Sequence, residues 1–163
     1  MKSLYLLLTL FFFVNSVKAD KTIDVANTLD SLHVAASQAD AEAYFELFAE
    51  HANFIGTDVG EYWTLSEFKT YTIPFFNQGK GWTYIPRNRE IKFSKSGTVA
   101  WFHEVLDNKS YGTTRGTGVL VLTKENKWLI TQYHLTIPIP NELAAEMANE
   151  IKAFEKKAPK TTH

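Results

Sequence analysis

Residues 98–137 read TVAWFHEVLDNKSYGTTRGTGVLVLTKENKWLITQYHLTI and contain three runs in which apolar and polar residues alternate. The runs TVAWFHEVL, TRGTGVLVLT and KWLITQYHLTI are separated by DNKSYG and KENK, which are rich in turn-forming residues. Such alternation and punctuation predict antiparallel β-strands joined by hairpins. A further run, WTYIPRNREIKF, begins at Trp82 and ends before the turn signal KSG. The sequence therefore predicts four adjacent antiparallel strands.

The segments before these strands follow a helical pattern instead. Apolar residues recur every three or four positions over residues 23–36, which predicts an amphipathic helix. A second, shorter helix is predicted over 40–50 with Asp40 as its N-cap, and residues 53–56 are predicted to form a short strand. The capping-box pattern TLSE at 64–67 predicts the start of a third helix, which ends near Pro74.

The ends of the chain differ from its middle. Residues 1–19, MKSLYLLLTLFFFVNSVKA, have an early lysine, a short apolar run and a small final residue, which predicts a signal peptide cut after Ala19. An uncut membrane anchor is the alternative, although a span needs roughly 20 apolar residues. We expect one domain over 20–142, a C-terminal helix and disordered tail over 143–163, and a secreted or periplasmic location.

Composition excludes several classes of function. The chain has 17 Lys and Arg against 18 Asp and Glu, and the predicted signal peptide removes only Lys2 and Lys18. This weakly negative balance argues against a nucleic acid or, after cleavage, a membrane as partner. The absence of cysteine excludes disulfides, thiol nucleophiles and Cys-ligated zinc. The histidines show no H-x-x-x-H spacing and no glycine loop suits a nucleotide, so we expect neither a metal nor a cofactor.

Centring the two hairpin loops gives a predicted register, in which Glu104 lies opposite Arg115 and Thr117 opposite His134. One face then combines polar and apolar residues: Glu104, Arg115, Thr117, Gln132 and His134 with Ala100, Phe102, Val119, Val121 and Ile130. The other face is mainly apolar: Trp101, Val105, Leu120, Leu122, Leu129, Tyr133 and Leu135, with His103. Convergent polar groups on an apolar wall predict a small-molecule cavity on the first face. The second face is either the helix-covered core or a dimer interface.

Helices followed by an antiparallel sheet predict an α+β domain, in which a curved sheet wraps around the N-terminal helices and encloses a pocket. An up-and-down barrel is the competing layout, but too much of the chain before Trp82 is predicted to be helical.

The segments ADAEAYFELFAEHANFIGTDVGEYWTLSEF, VAWFHEVL, TRGTGVLVL and KWLITQYHLTIPIPN resemble the SnoaL-like branch of the nuclear transport factor 2-like superfamily. The resemblance covers residues 22–142 and implies a cone-shaped fold, homodimers through the sheet, and side chains of Arg115 and His134 that point into the cone. The superfamily includes ketosteroid isomerase, scytalone dehydratase, limonene epoxide hydrolase, polyketide cyclases and a kinase association domain. These share a cavity but no mechanism, so activity must be argued from the site.

Three functions remain open from the sequence: a small-molecule binding domain, an enzyme that uses the same pocket, and a structural dimerisation domain. A binding domain would use Arg115 to hold an anionic or carbonyl-containing ligand, with hydrogen bonds from Thr117 and Gln132. Its apolar walls would come from Tyr44, Trp63, Trp82 and Phe102. In a structural dimerisation domain, side chains would fill the cavity and no ligand would bind.

An isomerase, dehydratase or hydrolase would use the same pocket without a cofactor. His134 would be the general acid or base, Glu104 would orient it, and Arg115 would stabilise developing negative charge. Asp58 would supply a second carboxylate at the mouth of the cone, together with Glu61. His33 lies at helical spacing within an apolar stripe, which favours a packed helix histidine, although this position is also within reach of a cavity.

Overall fold

The computed structural model describes residues 21–157, so the predicted signal peptide over 1–19 and the predicted tail after residue 157 lie outside the described residues. Helix α1 covers residues 21–38. The remaining helices are α2 (Ala41–Phe45), α3 (Leu65–Phe76) and α4 (Ala144–Lys157). The strands are β1 (Phe48–Ile55), β2 (Tyr62–Thr64), β3 (Ile85–Phe93), β4 (Val99–Asn108), β5 (Gly112–Leu122) and β6 (Trp128–Thr136). The predicted α+β class is confirmed.

The strands form one six-stranded sheet in the order β2-β1-β6-β5-β4-β3. Neighbouring strands are antiparallel except β1 and β6, which pair in parallel. The helix predicted over 40–50 is therefore wrong at its end, because α2 stops at Phe45 and β1 begins at Phe48. Pairing with β6 starts at once, since the Ile130 N–H donates to the Leu47 carbonyl at 2.8 Å. This non-local pairing overrides the helical pattern of the segment.

The predicted helix starts are confirmed by their capping hydrogen bonds. Asp40 accepts the Ala43 N–H at 3.0 Å at the start of α2. At α3, Thr64 Oγ1 accepts the Glu67 N–H, and the Glu67 carboxylate accepts the Thr64 N–H at 2.9 Å. The α3 helix continues to Phe76 and includes Pro74, so the prediction that it ends near Pro74 is two residues short.

The register of the β4–β5 hairpin differs from the prediction by one residue. Glu104 lies opposite Gly116, and Arg115 lies opposite Val105, so the predicted pairing of Glu104 with Arg115 is wrong. Because side chains alternate along a strand, the slip moves Arg115 and Thr117 to the face opposite Glu104. The expectation that Arg115 points into the cone is therefore wrong for this chain.

The turn of this hairpin explains the slip. Asn108 pairs with Gly112, so the loop comprises the three residues 109–111. The prediction centred the longer segment DNKSYG, which has an even number of residues, and this difference shifts the register by one residue. The Asn108 side chain stabilises the loop by accepting the N–H groups of Ser110 at 2.9 Å and Tyr111 at 3.0 Å. Gly112 has a φ of 68°, a conformation that glycine adopts without steric cost.

Between β5 and β6, two predicted pairings are confirmed: Thr117 with His134 and Val119 with Gln132. The predicted pairing of Val121 with Ile130 is wrong, because a bulge after Val119 brings Ile130 opposite Leu120. His134 follows Thr117 to the outer face, so the expectation that it points into the cone is also wrong.

The two faces of the sheet are now defined. The inner face holds the buried residues Ala100, Phe102, Glu104, Leu106, Thr114, Gly116, Gly118, Leu120, Ile130, Tyr133 and Leu135. It packs against the apolar stripe of α1, where Val25, Leu29 and Leu32 are buried. The outer face carries half-buried and exposed residues, namely Trp101, His103, Val105, Arg115, Thr117, Val119, Gln132 and His134. The predicted inward position of Ala100, Phe102 and Glu104 is confirmed.

The α4 helix has no buried side chain. Its apolar residues Ile151 and Phe154 are exposed. Within residues 21–157, no helix combines the length and the apolar character needed to cross a membrane.

Candidate functional site

A cavity of about 220 Å³ lies beside α1 on the inner side of the sheet. Most of its lining is aromatic, from Tyr44, Phe54, Trp63, Phe68, Tyr71, Trp82, Tyr84, Tyr111 and Tyr133. The polar lining residues besides the tyrosines are His33, Thr57 and Glu61. Apolar walls with a few convergent polar groups are the usual character of a small-molecule site.

One wall of the cavity is a stack of aromatic rings. Phe54 and Phe68 are nearly parallel at 3.9 Å between centroids, and Phe54 also stacks on Tyr133 at 5.7 Å. Trp63 and Tyr71 extend the stack with a centroid separation of 4.9 Å. Three of these rings come from the segment FIGTDVGEYWTLSEF at 54–68, which therefore contributes much of this wall.

A second group of rings packs edge to face. Tyr44 lies 6.1 Å from Trp82, with the two rings nearly perpendicular, and Trp82 lies 4.8 Å from Phe76. Tyr44 is only 2% exposed, and its burial raises the pKa of its phenol far above the ordinary value. Tyr44 and Trp82 therefore give the cavity a second rigid aromatic surface.

The mouth of the cavity, defined by the lining residues Thr57, Glu61, Tyr71, Tyr84 and Tyr111, is partly exposed. The loop that carries Glu61 is closed by two hydrogen bonds, from the Gly56 N–H to the Glu61 carbonyl at 2.8 Å and from the Asp58 N–H to Glu61 Oε2 at 3.1 Å. Burial, then the nearby Tyr111 and Glu61, raise the pKa of Tyr84 to about 12. These three groups therefore interact at the mouth.

Gly56 allows the close approach that this loop requires. A Cβ atom at this position would lie 2.8 Å from the Glu61 Cβ, closer than side chains tolerate. Asp58 is not among the lining residues; it is exposed, and its carboxylate accepts the Gly60 N–H at 2.8 Å. The structure thus assigns Asp58 to the turn and Glu61 to the lining.

The lining residues His33 and Tyr133 form the polar floor of the cavity and are backed by Glu104, which is fully buried and does not line the cavity itself. The Oε1 atom of Glu104 lies 2.9 Å from His33 Nε2 and accepts the Tyr133 hydroxyl at 2.9 Å. Its Oε2 atom accepts from Arg89 Nε at 2.8 Å, and Arg89 Nη2 lies 2.8 Å from the same oxygen. Arg89 also reaches Asp30 at 2.8 Å through Nη1. The buried carboxylate is thus paired on both oxygens.

These contacts decide the protonation of Glu104. Burial acts to raise the pKa of the Glu104 carboxyl, but the hydrogen bond and charge of His33, together with Arg89, hold that pKa below its ordinary value. Burial and then the adjacent Glu104 carboxylate raise the pKa of the Tyr133 phenol well above its ordinary value. A protonated phenol at the floor therefore donates to an ionised carboxylate behind it.

His33 belongs to this network, and it also lines the cavity. Because Nε2 faces a carboxylate, it carries a proton and donates to Glu104, which leaves Nδ1 as the other ring nitrogen. An imidazole oriented by a buried carboxylate is a suitable general acid or base. The sequence placed His33 on an apolar helix stripe, and that position was the only signal for its role.

The predicted site residues fall into three groups. Tyr44, Trp63 and Trp82 line the cavity. Glu104 and Phe102 are buried behind the lining, Glu104 against His33 and Tyr133, and Phe102 with its ring centroid 5.7 Å from that of Tyr133. On the outer face of the sheet lie Arg115, Thr117, Gln132 and His134, of which Arg115 and Gln132 are exposed. The chemical roles given to all these residues stay predictions.

Sequence reasoning missed Arg89 and placed Tyr133 on the wrong face. Arg89 belongs to β3, opposite Glu104, and no register had been predicted for this strand pair. Tyr133 lies opposite Gly118 and faces inward with it. The glycines at 116 and 118 are the one local signal, because an inner face without side chains at these positions leaves space for the rings of Tyr133 and Phe102.

Comparison with known proteins gives one family and many related folds. The sequence profile of the SnoaL-like domain family matches residues 25–140. A similar solved structure from Novosphingobium aromaticivorans, provisionally named scytalone dehydratase, has 13% identity and a TM-score of 0.64 over 77% of this chain and 89% of that one. Another from Shewanella frigidimarina, provisionally named ketosteroid isomerase, has 19% identity and a TM-score of 0.54 over 67% of this chain and 91% of that one.

A third solved structure comes from Streptomyces avermitilis and is provisionally named a dehydratase of the nuclear transport factor 2-like family. It has 12% identity and a TM-score of 0.61 over 72% of this chain and 95% of that one. At such low identities these likenesses show the fold alone. A search among curated proteins gives no match.

Proposed function

Because this chain belongs to the SnoaL-like domain family, whose profile covers residues 25–140, we propose that it binds a compact aromatic or apolar small molecule in the cavity beside α1. The observation that carries this proposal is the aromatic lining, in which flat rings surround a space with few polar groups. The space of about 220 Å³ is smaller than the roughly 300–1,000 Å³ of drug-sized sites, which favours a ligand with one or two rings.

The charge of the lining argues against an anion as the ligand. Glu61 contributes a carboxylate, and none of the described lining residues is a lysine or arginine. Arg89 is already paired with Glu104 and Asp30 behind the floor. Arg115, predicted to hold an anion, lies outside the cavity, so the proposal does not use it.

Blocking the mouth tests this proposal with a matched pair of variants. Thr57 lines the cavity and is exposed, so Thr57→Trp narrows the entrance without enlarging the core. Val59 is in the same loop, is 92% exposed and is not a lining residue, so Val59→Trp is the control. Native mass spectrometry of protein purified from its own compartment should show a retained small molecule in wild type and Val59→Trp, and little in Thr57→Trp. Equal retention in both variants, or none in wild type, contradicts the proposal.

Proton transfer next to a carbonyl is the second candidate, favoured by the His33–Glu104 contact of 2.9 Å at the cavity floor. In this activity His33 Nδ1 takes a proton from a bound carbonyl compound and returns it to another position, while Glu104 orients the ring and stabilises its charged form. This step is an isomerisation; in a dehydration the proton would go to a departing hydroxyl group, and in a hydrolysis it would come from an attacking water, and none of the three needs a cofactor. Two of the related solved structures carry the provisional names ketosteroid isomerase and scytalone dehydratase, and an isomerase or a dehydratase is the kind of activity proposed here.

Exchange of a carbon-bound proton measures this activity without a known product. Wild type should accelerate deuterium incorporation next to the carbonyl of phenylacetone in heavy water, as followed by NMR. His33→Gln should abolish the acceleration, because a glutamine keeps a hydrogen bond to Glu104 but does not titrate. The control is His51→Gln, at an exposed position of β1. Equal exchange in wild type and His33→Gln would leave binding as the function.

We further propose a homodimer through the outer face of the sheet. Trp101 is 45% exposed there, opposite half-buried Val119 and on the same face as half-buried Val105, which supports an apolar contact surface. Analytical ultracentrifugation should give a dimer for wild type and a monomer for Trp101→Lys. The control Val34→Lys changes an exposed apolar residue on α1, on the inner side of the sheet, and should stay dimeric. If the cavity binds no ligand, dimerisation is the function that remains for this chain.

Export is proposed from the signal-peptide pattern of residues 1–19. The mass of protein recovered from the periplasm or medium should match a chain that begins at Asp20. A mature chain that keeps residue 1 would contradict cleavage after Ala19.

A further inference from the structure

The cavity has the electrostatic character of a site for organic cations. We propose that its ligand is a compact aromatic or alkyl ammonium compound, held with its charge near Glu61 and its apolar part between the aromatic walls. This inference rests on the proposed small-molecule binding and adds the charge of the ligand. It is carried by the composition of the lining, the position of Glu61 and the pairing of Arg89.

The first argument is that the aromatic faces carry negative charge density, to which an ammonium group is attracted. Trp63 stacks on Tyr71, while Tyr44 and Trp82 face the cavity from another side. A cation surrounded by several aromatic rings is attracted to each of them. Tyr84 and Tyr111 add rings at the mouth.

The second argument is the formal charge of the cavity and its floor. Glu61 is half-buried in the lining, and its Oε2 atom uses one backbone N–H, from Asp58 at 3.1 Å, which leaves further lone pairs for a ligand. Behind the lining, the buried Glu104 carboxylate holds both Arg89 and His33, so their charges are already paired. Among the described lining residues Glu61 is the carboxylate, and no lysine or arginine opposes it.

The third argument is that Glu61 is fixed where a ligand enters. Its backbone is closed onto Gly56 by a 2.8 Å hydrogen bond, and its carboxylate is near enough to raise the pKa of Tyr84. A carboxylate held beside aromatic rings at the mouth binds an ammonium by charge-assisted hydrogen bonding or by direct charge contact. An anion entering the same mouth meets Glu61 without a compensating cation in the lining.

A series of ligands with one shape and three charges tests the inference. Benzylammonium, benzyl alcohol and benzoate are single-ring compounds of similar size that are cationic, neutral and anionic near pH 7. Their dissociation constants can be measured by calorimetry and by the fluorescence of Trp63 and Trp82, which line the cavity. We expect benzylammonium to bind about fivefold to thirtyfold tighter than benzyl alcohol, and benzoate to bind weakest.

Glu61→Gln separates the carboxylate from the rings, because the amide oxygen keeps an acceptor for the Asp58 N–H. This variant should lose most of the preference for benzylammonium and bind benzyl alcohol as wild type does. Glu90→Gln, at an exposed carboxylate of β3 outside the lining, should behave as wild type.

The outcomes distinguish this inference from the proposed function. If benzyl alcohol or benzoate binds as tightly as benzylammonium to the wild type, the cavity binds small molecules but the inferred charge is wrong. The same conclusion follows if the preference persists in Glu61→Gln. If none of the three compounds binds, both the inference and the aromatic-ligand proposal are overturned.

Discussion

His33 on α1 and Glu104 on β4 are 71 residues apart in sequence and are joined by a 2.9 Å contact between Nε2 and Oε1. The contact ties the first helix to the inner face of the sheet at a point where both side chains are buried. Arg89 approaches the other carboxylate oxygen, and against the effect of burial His33 and Arg89 together hold the pKa of Glu104 below its ordinary value. A paired buried carboxylate of this kind is costly to break, since removing one partner leaves the other buried and unpaired. The same pairing also gives the cavity its polar floor.

Glu104→Gln should reduce the free energy of unfolding by about 3–5 kcal/mol near pH 7, because it leaves the Arg89 guanidinium without its buried partner. The effect should depend on pH. The pKa of Glu104 is lower in the folded state than in the unfolded chain. The stability that the ionised carboxylate contributes is therefore fully present at pH values above the ordinary pKa of about 4.5. It is lost as the pH falls through the folded-state pKa, where the folded protein also takes up the proton.

Urea denaturation of wild type and Glu104→Gln between neutral pH and about pH 3 measures this prediction. The difference in stability should be largest at neutral pH and should shrink below about pH 4.5. A difference that stays constant across this range would show that Glu104 contributes by packing and not by charge. Glu90→Gln, at an exposed site, should change stability little at any pH.

Tyr133→Phe should reduce the free energy of unfolding by about 1–3 kcal/mol, because it removes the 2.9 Å hydrogen bond to Glu104 and keeps the ring stacked on Phe54. The loss should stay below that of Glu104→Gln, since the carboxylate keeps His33 and Arg89 as partners. Tyr62→Phe, on an exposed tyrosine, is the matched control. Urea denaturation at neutral pH measures all three variants, and equal stability of wild type and Tyr133→Phe would contradict the prediction.

Local features of the chain were predictable from sequence. The cap at Asp40 and the capping box of Thr64 and Glu67 depend on side chains within one helical turn, and all form as predicted. The alternation in β4 correctly placed Phe102 and Glu104 on the inner face, because parity within one strand does not depend on its neighbours.

The site was predicted less well because its geometry is set between strands. A three-residue loop after Asn108 reversed the face assigned to Arg115, although no single residue type in that loop dictates its length. The partnership of Glu104 with Arg89 joins β4 to β3, and that with His33 joins it to α1, so neither follows from a pattern within one segment. Within the stretch 54–68, Trp63 is predicted as an apolar wall and Glu61 as a group at the mouth, and both line the cavity, whereas Asp58 does not.

Buried tyrosines should resist ionisation in the folded protein. Burial raises the pKa of Tyr84 to about 12, while the free side chain ionises near pH 10. In folded protein at about pH 11, Tyr84→Phe should leave the tyrosinate absorbance almost unchanged, whereas in urea it should lower the absorbance by one tyrosine. Because the unfolded chain releases these protons first, the stability contributed by Tyr84 should fall as the pH rises above about 10. A clear loss of absorbance in the folded variant would show that Tyr84 is ionised at that pH.

Gly116→Ala should reduce the free energy of unfolding by about 1–3 kcal/mol, because the inner face of β5 has no room for a side chain there. A Cβ atom at Gly116 would touch the Tyr133 hydroxyl, and it would lie 2.9 Å from Tyr133 Cζ and 3.0 Å from Glu104 Cγ. The added methyl group therefore displaces the phenol from the carboxylate. Thr113→Ser, on an exposed position of the same strand, keeps the hydroxyl that accepts from Arg87 at 2.9 Å and should change stability by less than about 0.5 kcal/mol.

The cause of the lower stability expected for Gly116→Ala can be isolated by combining this substitution with Tyr133→Phe. In a Tyr133→Phe background the atom that the methyl group would touch is absent, so Gly116→Ala should cost less than it does in wild type. The coupling energy between the two substitutions should be about 1 kcal/mol, as is usual for residues in direct contact. Urea denaturation of the wild type, both single variants and the double variant gives this value. Strictly additive costs would mean that the methyl group acts on the strand backbone, and that the glycine does not serve to seat Tyr133 against Glu104.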